Sequence, residues 1–437
     1  MPNSRPTWRK LLTGCSSEFR AWLHANDLQL TLYKKLVADL DLFLSQILSG
    51  QDRTLSADVP FWKLLDEPQN VAEHLQGILQ NIYKPQDVEQ YLSEIQTYSS
   101  DPVAWERYAT THFVAPVTCT LFGERLLDVS TDCAKEIYDR EMVAAAYTYV
   151  HLLDRYKRFW DVLLCLLDQG LLPVSAKGID VLDIGSGPAV ALYAVNDVYK
   201  ALHDFAIDRG YTHLVTPPPR FHVIEPSVQM VHFFHRFSET GHREAGPFGA
   251  IFSQLVDFTQ EIEMLDPKKV GQLQKIIDAS TGSVAAYFIN EDKTAHEVYH
   301  YNFVIMSYFL TTEERTKNLS ENLQSVFRTL RPGGLAVVLG DKGWNSIYEL
   351  IEQQAKLAGV YRMNQVPNEI PLCYTDAYAD LCKAFYTKIW QDYLTKYSNI
   401  DEEFAQSRKL PRKLWHSPKG LKGNVSAFGL RVFRRGR

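Results

Sequence analysis

The chain has 437 residues, of which 46% are hydrophobic and 22% charged, the balance of a folded globular protein with room for more than one core, which excludes bulk disorder. Apolar runs such as Val162 to Leu167 are far too short to span a bilayer, and the N-terminus lacks an apolar stretch of secretory-signal length, so a cytoplasmic protein with no membrane association is expected. The net charge of −6 is uneven: Arg408 to Arg437 hold ten Lys or Arg and no Asp or Glu, which leaves −16 on the other 407 residues and makes this segment a candidate contact for a polyanion such as RNA.

From the N-terminus the pattern is helical. Tyr33 to Leu48 places apolar residues at three- and four-residue steps and ends before Gly50. Val71 to Ile82 and Val88 to Ile95 repeat the habit on either side of Pro85. Trp105 to Leu172 is rich in aromatics, most of them expected in a core. Strand-like alternation is nearly absent until Val181, so residues 1–160 are expected to form a helical domain serving as lid, homodimer interface or substrate-recognition module. The six cysteines are scattered without a C-x-x-C pair, and no metal site is expected.

The stretch Gly178 to Val190 changes the pattern. Apolar β-formers run into Asp183, Gly185 and Gly187 follow at alternate positions with Ser186 between them, and Pro188 opens an apolar-faced helix to Ile207. This order reads as strand, tight turn and helix. The glycines allow backbone conformations closed to residues with a Cβ, and the helix N-terminus directs its free N–H groups into the same space. A dinucleotide-binding turn would show G-x-G-x-x-G with the acidic residue about 20 residues further on. Here a carboxylate precedes the first glycine, which disfavours a pyrophosphate and suits a cationic amino-acid tail.

These residues resemble the first motif of the class I S-adenosylmethionine-dependent methyltransferases, [DE]-x-G-x-G-x-G, with Ala189 in place of the last glycine. Two further stretches are similar in the family's order: Arg220 to Ser227, containing Glu225, and Leu330 to Leu339, containing Pro332-Gly333-Gly334. The resemblance implies an α/β fold with a Rossmann-like seven-stranded methyltransferase sheet over residues 161–437, preceded by the all-α domain and interrupted by insertions at about 208–219, 259–300 and 361–411. It implies S-adenosyl-L-methionine as cofactor, bound by Asp183, Gly185, Ser186, Gly187 and Pro188, with Glu225 on the ribose hydroxyls and Asp257 on the adenine amino group. Tyr301 to Leu310 matches the family's fourth strand, placing Ser307 and Tyr308 at the site; Ser283 to Ile289 is the alternative fourth strand or part of an insertion. In this family the helix before the first strand often walls the pocket, which makes Tyr147 and Tyr156 candidates. Ser426 to Phe433 alternates and fits an antiparallel closing strand.

Methyl transfer from a sulfonium is an in-line displacement that depends chiefly on positioning, and few side chains are obligatory. A proton-bearing O or N acceptor can require a base; Tyr308, Asp341, His296 and His300 are the candidates. His296 and His300 lie four apart but lack a third ligand for a metal. The acceptor is a small molecule, suited to an aromatic pocket, or RNA, suited to Arg408–Arg437. The alternative is a non-catalytic protein of this fold acting as a binding or assembly factor.

Overall fold

The computed structural model describes residues 8–50, most of 90–131, 138, 140, 142–175, 177–211, 216–225, 227–241, 250–253, 276–277, 284–285, 301–372, 374–398, 400–410 and 426–436. In chain order the helical lead-in comprises α1 (Trp8–Ala25), α2 (Leu28–Leu48), α3 (Pro102–Ala109), α4 (Ala115–Thr131) and α5 (Val143–Asp168). The 26 residues of α5 contain neither Gly nor Pro and run unbroken until Gly170 takes a positive φ of 61° and ends the helix.

The sheet begins at β1 (Asp180–Ile184), followed by α6 (Val190–Asp208), β2 (Arg220–Ile224), α7 (Val228–Gly241) and β3 (Ala250–Ser253). Two short strands, β4 (Ile276–Ile277) and β5 (Val284–Ala285), pair only with each other. Then come β6 (Tyr301–Ser307), α8 (Glu313–Asn318), α9 (Ser320–Arg328), β7 (Leu330–Asp341), α10 (Asn345–Leu357), β8 (Val360–Arg362), β9 (Glu369–Leu372), α11 (Asp376–Ile389), α12 (Glu402–Ser407) and β10 (Ser426–Arg435).

The strand order is β3-β2-β1-β6-β7-β10-β8, with β9 also on β10. β1, β2, β3, β6 and β7 are parallel, and β10 runs antiparallel to β7. Of the two candidate fourth strands, Tyr301–Ser307 therefore holds the central place between β1 and β7. The expected seven-stranded order is present, with one further short strand, β9, lying off this path on β10. β10 uses one edge for β7 and the other for β8 at Phe433–Arg435 and β9 at Ser426–Gly429, so two short strands share the seventh lane. The stretch 361–411, expected as an insertion, thus supplies part of the sheet.

Because side chains alternate along each strand, the sheet presents two apolar faces. Val181, Phe221, Val223, Phe303, Ile305, Val337 and Leu339 pack in one cluster with α1, α2, α4, α5, α6 and α11. Leu182, Ile184, Ile224, Val304, Met306, Ala336 and Val338 pack in the other with α9 and α10. The helices before β1 therefore share one apolar core with the sheet. All five residues of β1 are buried, as expected of a central parallel strand covered on both faces. The order reverses between β1 and β6, whose carboxyl ends lie side by side at Ile184 and Met306. This is a topological switch point, where open α/β sheets form their ligand crevice.

Candidate functional site

At the switch point β1 ends in the expected turn. Gly185 and Gly187 take positive φ angles of 62° and 57°, and Gly185 N–H donates to Ile224 O at 2.8 Å, tying the turn to the end of β2. Ser186 and Pro188 are buried within the turn. Ala189, in the place of the family's third glycine, also adopts positive φ, 54°, where an L side chain is disfavoured by about 1–2 kcal/mol.

Glu225 follows β2, and its carboxylate reaches back to the same turn. Oε2 accepts from Gly187 N–H at 2.7 Å and Oε1 from Ser227 N–H at 3.0 Å. Asp183 differs. It is 1% exposed, and both of its carboxylate oxygens are buried without a hydrogen-bond partner among the described residues. Burial, reinforced by the Glu225 charge and opposed by Arg155, pushes its pKa up from 3.8 to about 8. Ser307, at the end of β6, likewise has a buried Oγ without a partner among the described residues. Two unsatisfied polar groups thus face the end of the sheet where the strand order reverses.

Aromatic rings cover the glycines. A Cβ on Gly185 would come within 2.3 Å of the Phe309 ring, and one on Gly187 within 3.2 Å of Tyr147. Phe309 carries Arg315 on its ring at 4.6 Å. Tyr147 projects from α5 onto this turn. Tyr156, the other candidate on that helix, instead donates to the buried Asp197 of α6 at 2.6 Å and belongs to the core.

The polar face of α5 was missed from sequence. Arg155 donates to Tyr147 Oη and is held between two rings, 4.9 Å from Tyr147 and 4.6 Å from Tyr308. Arg158 pairs with Asp154 at 2.7 Å and donates to Tyr308 Oη, while Tyr374 donates to Asp154 at 3.0 Å. A signal was present, because Tyr147, His151, Asp154, Arg155 and Arg158 recur at helical steps on one face of an otherwise apolar helix.

Of the base candidates, Tyr308 lies at the crevice with a positive φ of 54° and its N–H donating to Leu339 O. Burial raises its pKa despite Arg158 and Arg155, so the phenol is neutral at physiological pH and a poor base there. Asp341 ends β7 and is exposed. Asp257, His296 and His300 lie outside the described residues. Among the described residues no cluster of His, Cys, Asp and Glu is arranged to hold a metal, and no helix is long and apolar enough to cross a membrane.

No family model and no curated protein matches this chain. Solved structures similar to it include phosphoethanolamine N-methyltransferase 2 of Haemonchus contortus with bound S-adenosylhomocysteine, at 12% identity and TM-score 0.31 over 69% of this chain and 60% of that one. Magnesium protoporphyrin IX methyltransferase of Synechocystis PCC 6803 is similar at 9% identity and TM-score 0.31 over 65% and 85% of the two chains. A methyltransferase of Pyrococcus furiosus is similar at 9% identity and TM-score 0.29 over 65% and 83%. At such scores the assignment of the fold stands on the chain's own strand order and register, which are those of a Rossmann-like, doubly wound α/β protein.

Proposed function

We propose that this chain binds S-adenosyl-L-methionine at the β1–β6 switch point and is a methyltransferase acting on an O or N acceptor. The observation that carries this reading is Asp183, a buried carboxylate without a partner beside a glycine turn with positive φ. An isolated carboxylate in such a place is costly unless a cation completes it. The ammonium of an amino-acid tail has the matching charge and hydrogen-bonding chemistry, and Asp183 would hold it. Glu225, anchored by the N–H groups of Gly187 and Ser227, would direct its remaining lone pairs to the ribose hydroxyls, and Ser307 would offer its hydroxyl from β6.

When bound, S-adenosylmethionine supplies a methyl group already activated on a sulfonium. The chain's own contribution is then to hold and align, and to exclude water behind Tyr147, Tyr308 and Phe309. We favour a small-molecule acceptor over RNA. Of the ten cations from Arg408 to Arg437, Arg431 donates to the carbonyls of Asn368 and Leu430, Arg434 to that of Gly333, and Arg435 to those of Arg328 and Leu330. Three of the ten therefore serve as structural groups of the last strand. One observation favours a second reading, a non-catalytic protein of this fold: the rings of Phe309 and Tyr147 pack on the two glycines, where the bare main chain would otherwise lie open to a ligand.

Calorimetric titration with S-adenosylmethionine and S-adenosylhomocysteine tests the proposal. Saturable binding that Glu225→Ala and Asp183→Ala both weaken is the expected result. Absence of binding to either compound would overturn it and leave the second reading.

A further inference from the structure

The cofactor reading uses the acids Asp183 and Glu225 and leaves the cations around the same crevice without a role. Three guanidiniums lie on its rings. Arg155 is held between Tyr147, whose ring packs on Gly187, and Tyr308, the first residue after β6, at 4.9 and 4.6 Å. Arg158 lies 5.7 Å from the Tyr308 ring and 5.2 Å from that of Phe428. Arg315, on α8, lies 4.6 Å from Phe309, whose ring packs on Gly185. Arg158 is paired with Asp154 at 2.7 Å, whereas among the described residues Arg155 and Arg315 form no ion pair. Unsatisfied donors accompany them, because Arg158 Nε and Ser307 Oγ are buried without a partner among the described residues.

This arrangement decides which charge a second ligand can carry. Aromatic walls attract an ammonium when their faces are open. Here the faces of Tyr147, Tyr308 and Phe309 already hold guanidiniums, which would repel a cationic amine. A carboxylate or phosphate meets the opposite case, a crevice with cations and donors in excess. A planar guanidinium stacked between rings keeps its edge for bidentate contact and loses little freedom when an anion arrives. We infer that the methyl acceptor is a small anion, and that Arg155 receives its carboxylate or phosphate group beside the end of β6. The inference rests on the cofactor reading and adds to it the charge of the acceptor. The two ligands are then sorted by charge: Asp183 and Glu225 face a cationic cofactor from β1 and the end of β2, and the arginines face an anionic acceptor from α5 and α8.

The test uses four small aromatic probes of one size: benzoate, phenyl phosphate, the neutral benzamide and the cationic benzylamine. Each is titrated by saturation-transfer NMR into the full chain with saturating S-adenosylhomocysteine. At least one anion should bind roughly 10- to 100-fold more tightly than benzamide, the range of one or two charge-assisted hydrogen bonds, with benzylamine the weakest. Which anion binds more tightly tells a carboxylate acceptor from a phosphorylated one. In Arg155→Met the preference for the anion should vanish while benzamide affinity is retained. Arg155→Lys, which keeps the charge but not the fork, should retain part of the preference, and it carries the test if the Met variant fails to fold. Anions binding no more tightly than benzamide, benzylamine binding best, or a preference unchanged in Arg155→Met would overturn the inference. Displacement of the anion by S-adenosylhomocysteine would overturn it too, since Arg155 would then belong to the cofactor's own site. If S-adenosylhomocysteine itself does not bind, the cofactor reading fails; the probes titrated alone then decide separately, an Arg155-dependent preference upholding the anion site and its absence removing it.

Discussion

Replacing Asp183 by Asn tests the physical account of the site without any ligand. In the folded chain this carboxyl titrates near pH 8 and in the unfolded chain near its ordinary 3.8. Between those values the unfolded chain releases a proton that the folded chain retains, so the stability contributed by Asp183 is present at low pH and lost as pH rises. The slope approaches about 1.4 kcal/mol per pH unit, and over the whole window the loss is roughly 6 kcal/mol. Asn has the same shape and no proton to lose. The variant should match the wild type near pH 4.5 in urea-unfolding free energy and exceed it by several kcal/mol at pH 8, while no longer binding S-adenosylmethionine. Parallel stability–pH curves for the two proteins would refute the reasoning, since they would mean that Asp183 titrates alike in both states. The same pKa predicts that ligand binding at pH 7 ionises Asp183 and releases a proton, which appears as a dependence of the calorimetric heat on the ionisation enthalpy of the buffer.

Other consequences concern the scaffold. Tyr156→Phe removes the 2.6 Å hydrogen bond to Asp197, whose pKa burial already raises to about 6; about 1–3 kcal/mol of stability should be lost with cofactor affinity unchanged, read by urea unfolding and calorimetry together. Asp180→Asn weakens the bridge from the N-terminal end of β1 to Arg220 at 2.6 Å and Arg331 at 2.8 Å, and because both arginines are partly solvated the loss in a thermal melt should correspond to only about 1 kcal/mol. Gly429→Ala drives a Cβ to within 2.3 Å of Tyr348 Oη and 2.8 Å of the Asp341 carbonyl; urea unfolding should show a loss of about 1–3 kcal/mol from overpacking. Arg431→Met removes a cation stacked 4.2 Å from the Tyr348 ring and bonded to two carbonyls. Its effect should appear in the thermal midpoint and not in retention on an RNA column.

The turn after β1 was legible in the sequence because its signals are local. Asp183, Gly185 and Gly187 occupy fixed offsets, and each performs in the fold the backbone task its chemistry allows. β2 was legible despite the 42 positions between Asp183 and Glu225, since α6 and the proline-containing loop occupy the gap and Phe221–Ile224 still pairs in register with Val181–Ile184. β9 was hidden because Glu369-Ile370-Pro371-Leu372 carries a proline, which lacks the N–H a ladder uses and is tolerated only at an edge. Arg155 and Arg158 were hidden for a different reason. On a long helix a polar residue reads as solvent-facing unless something shows that the sheet's ligand crevice lies opposite, and that is decided by the packing of α5 beside α6 more than 20 residues away in sequence.

Backbone strain at the crevice points the same way as the charges. Five non-glycine residues among those described have positive φ, and two of them, Ala189 and Tyr308, stand on opposite sides of the β1–β6 switch point. Each costs about 1–2 kcal/mol relative to a relaxed backbone. Tyr308 is held there by its N–H bond to Leu339 O, by Trp344 at 5.7 Å and by two arginines over or against its ring. The arginines are fixed in turn, Arg155 by Tyr147 and Arg158 by Asp154, which Tyr374 supports from the C-terminal third of the chain. Stability alone gives no reason to surround an unpartnered carboxylate with strained backbone and braced cations. A site built to bind a charged ligand does, because groups held rigid before the ligand arrives lose less entropy on binding and place their charges without reorganisation.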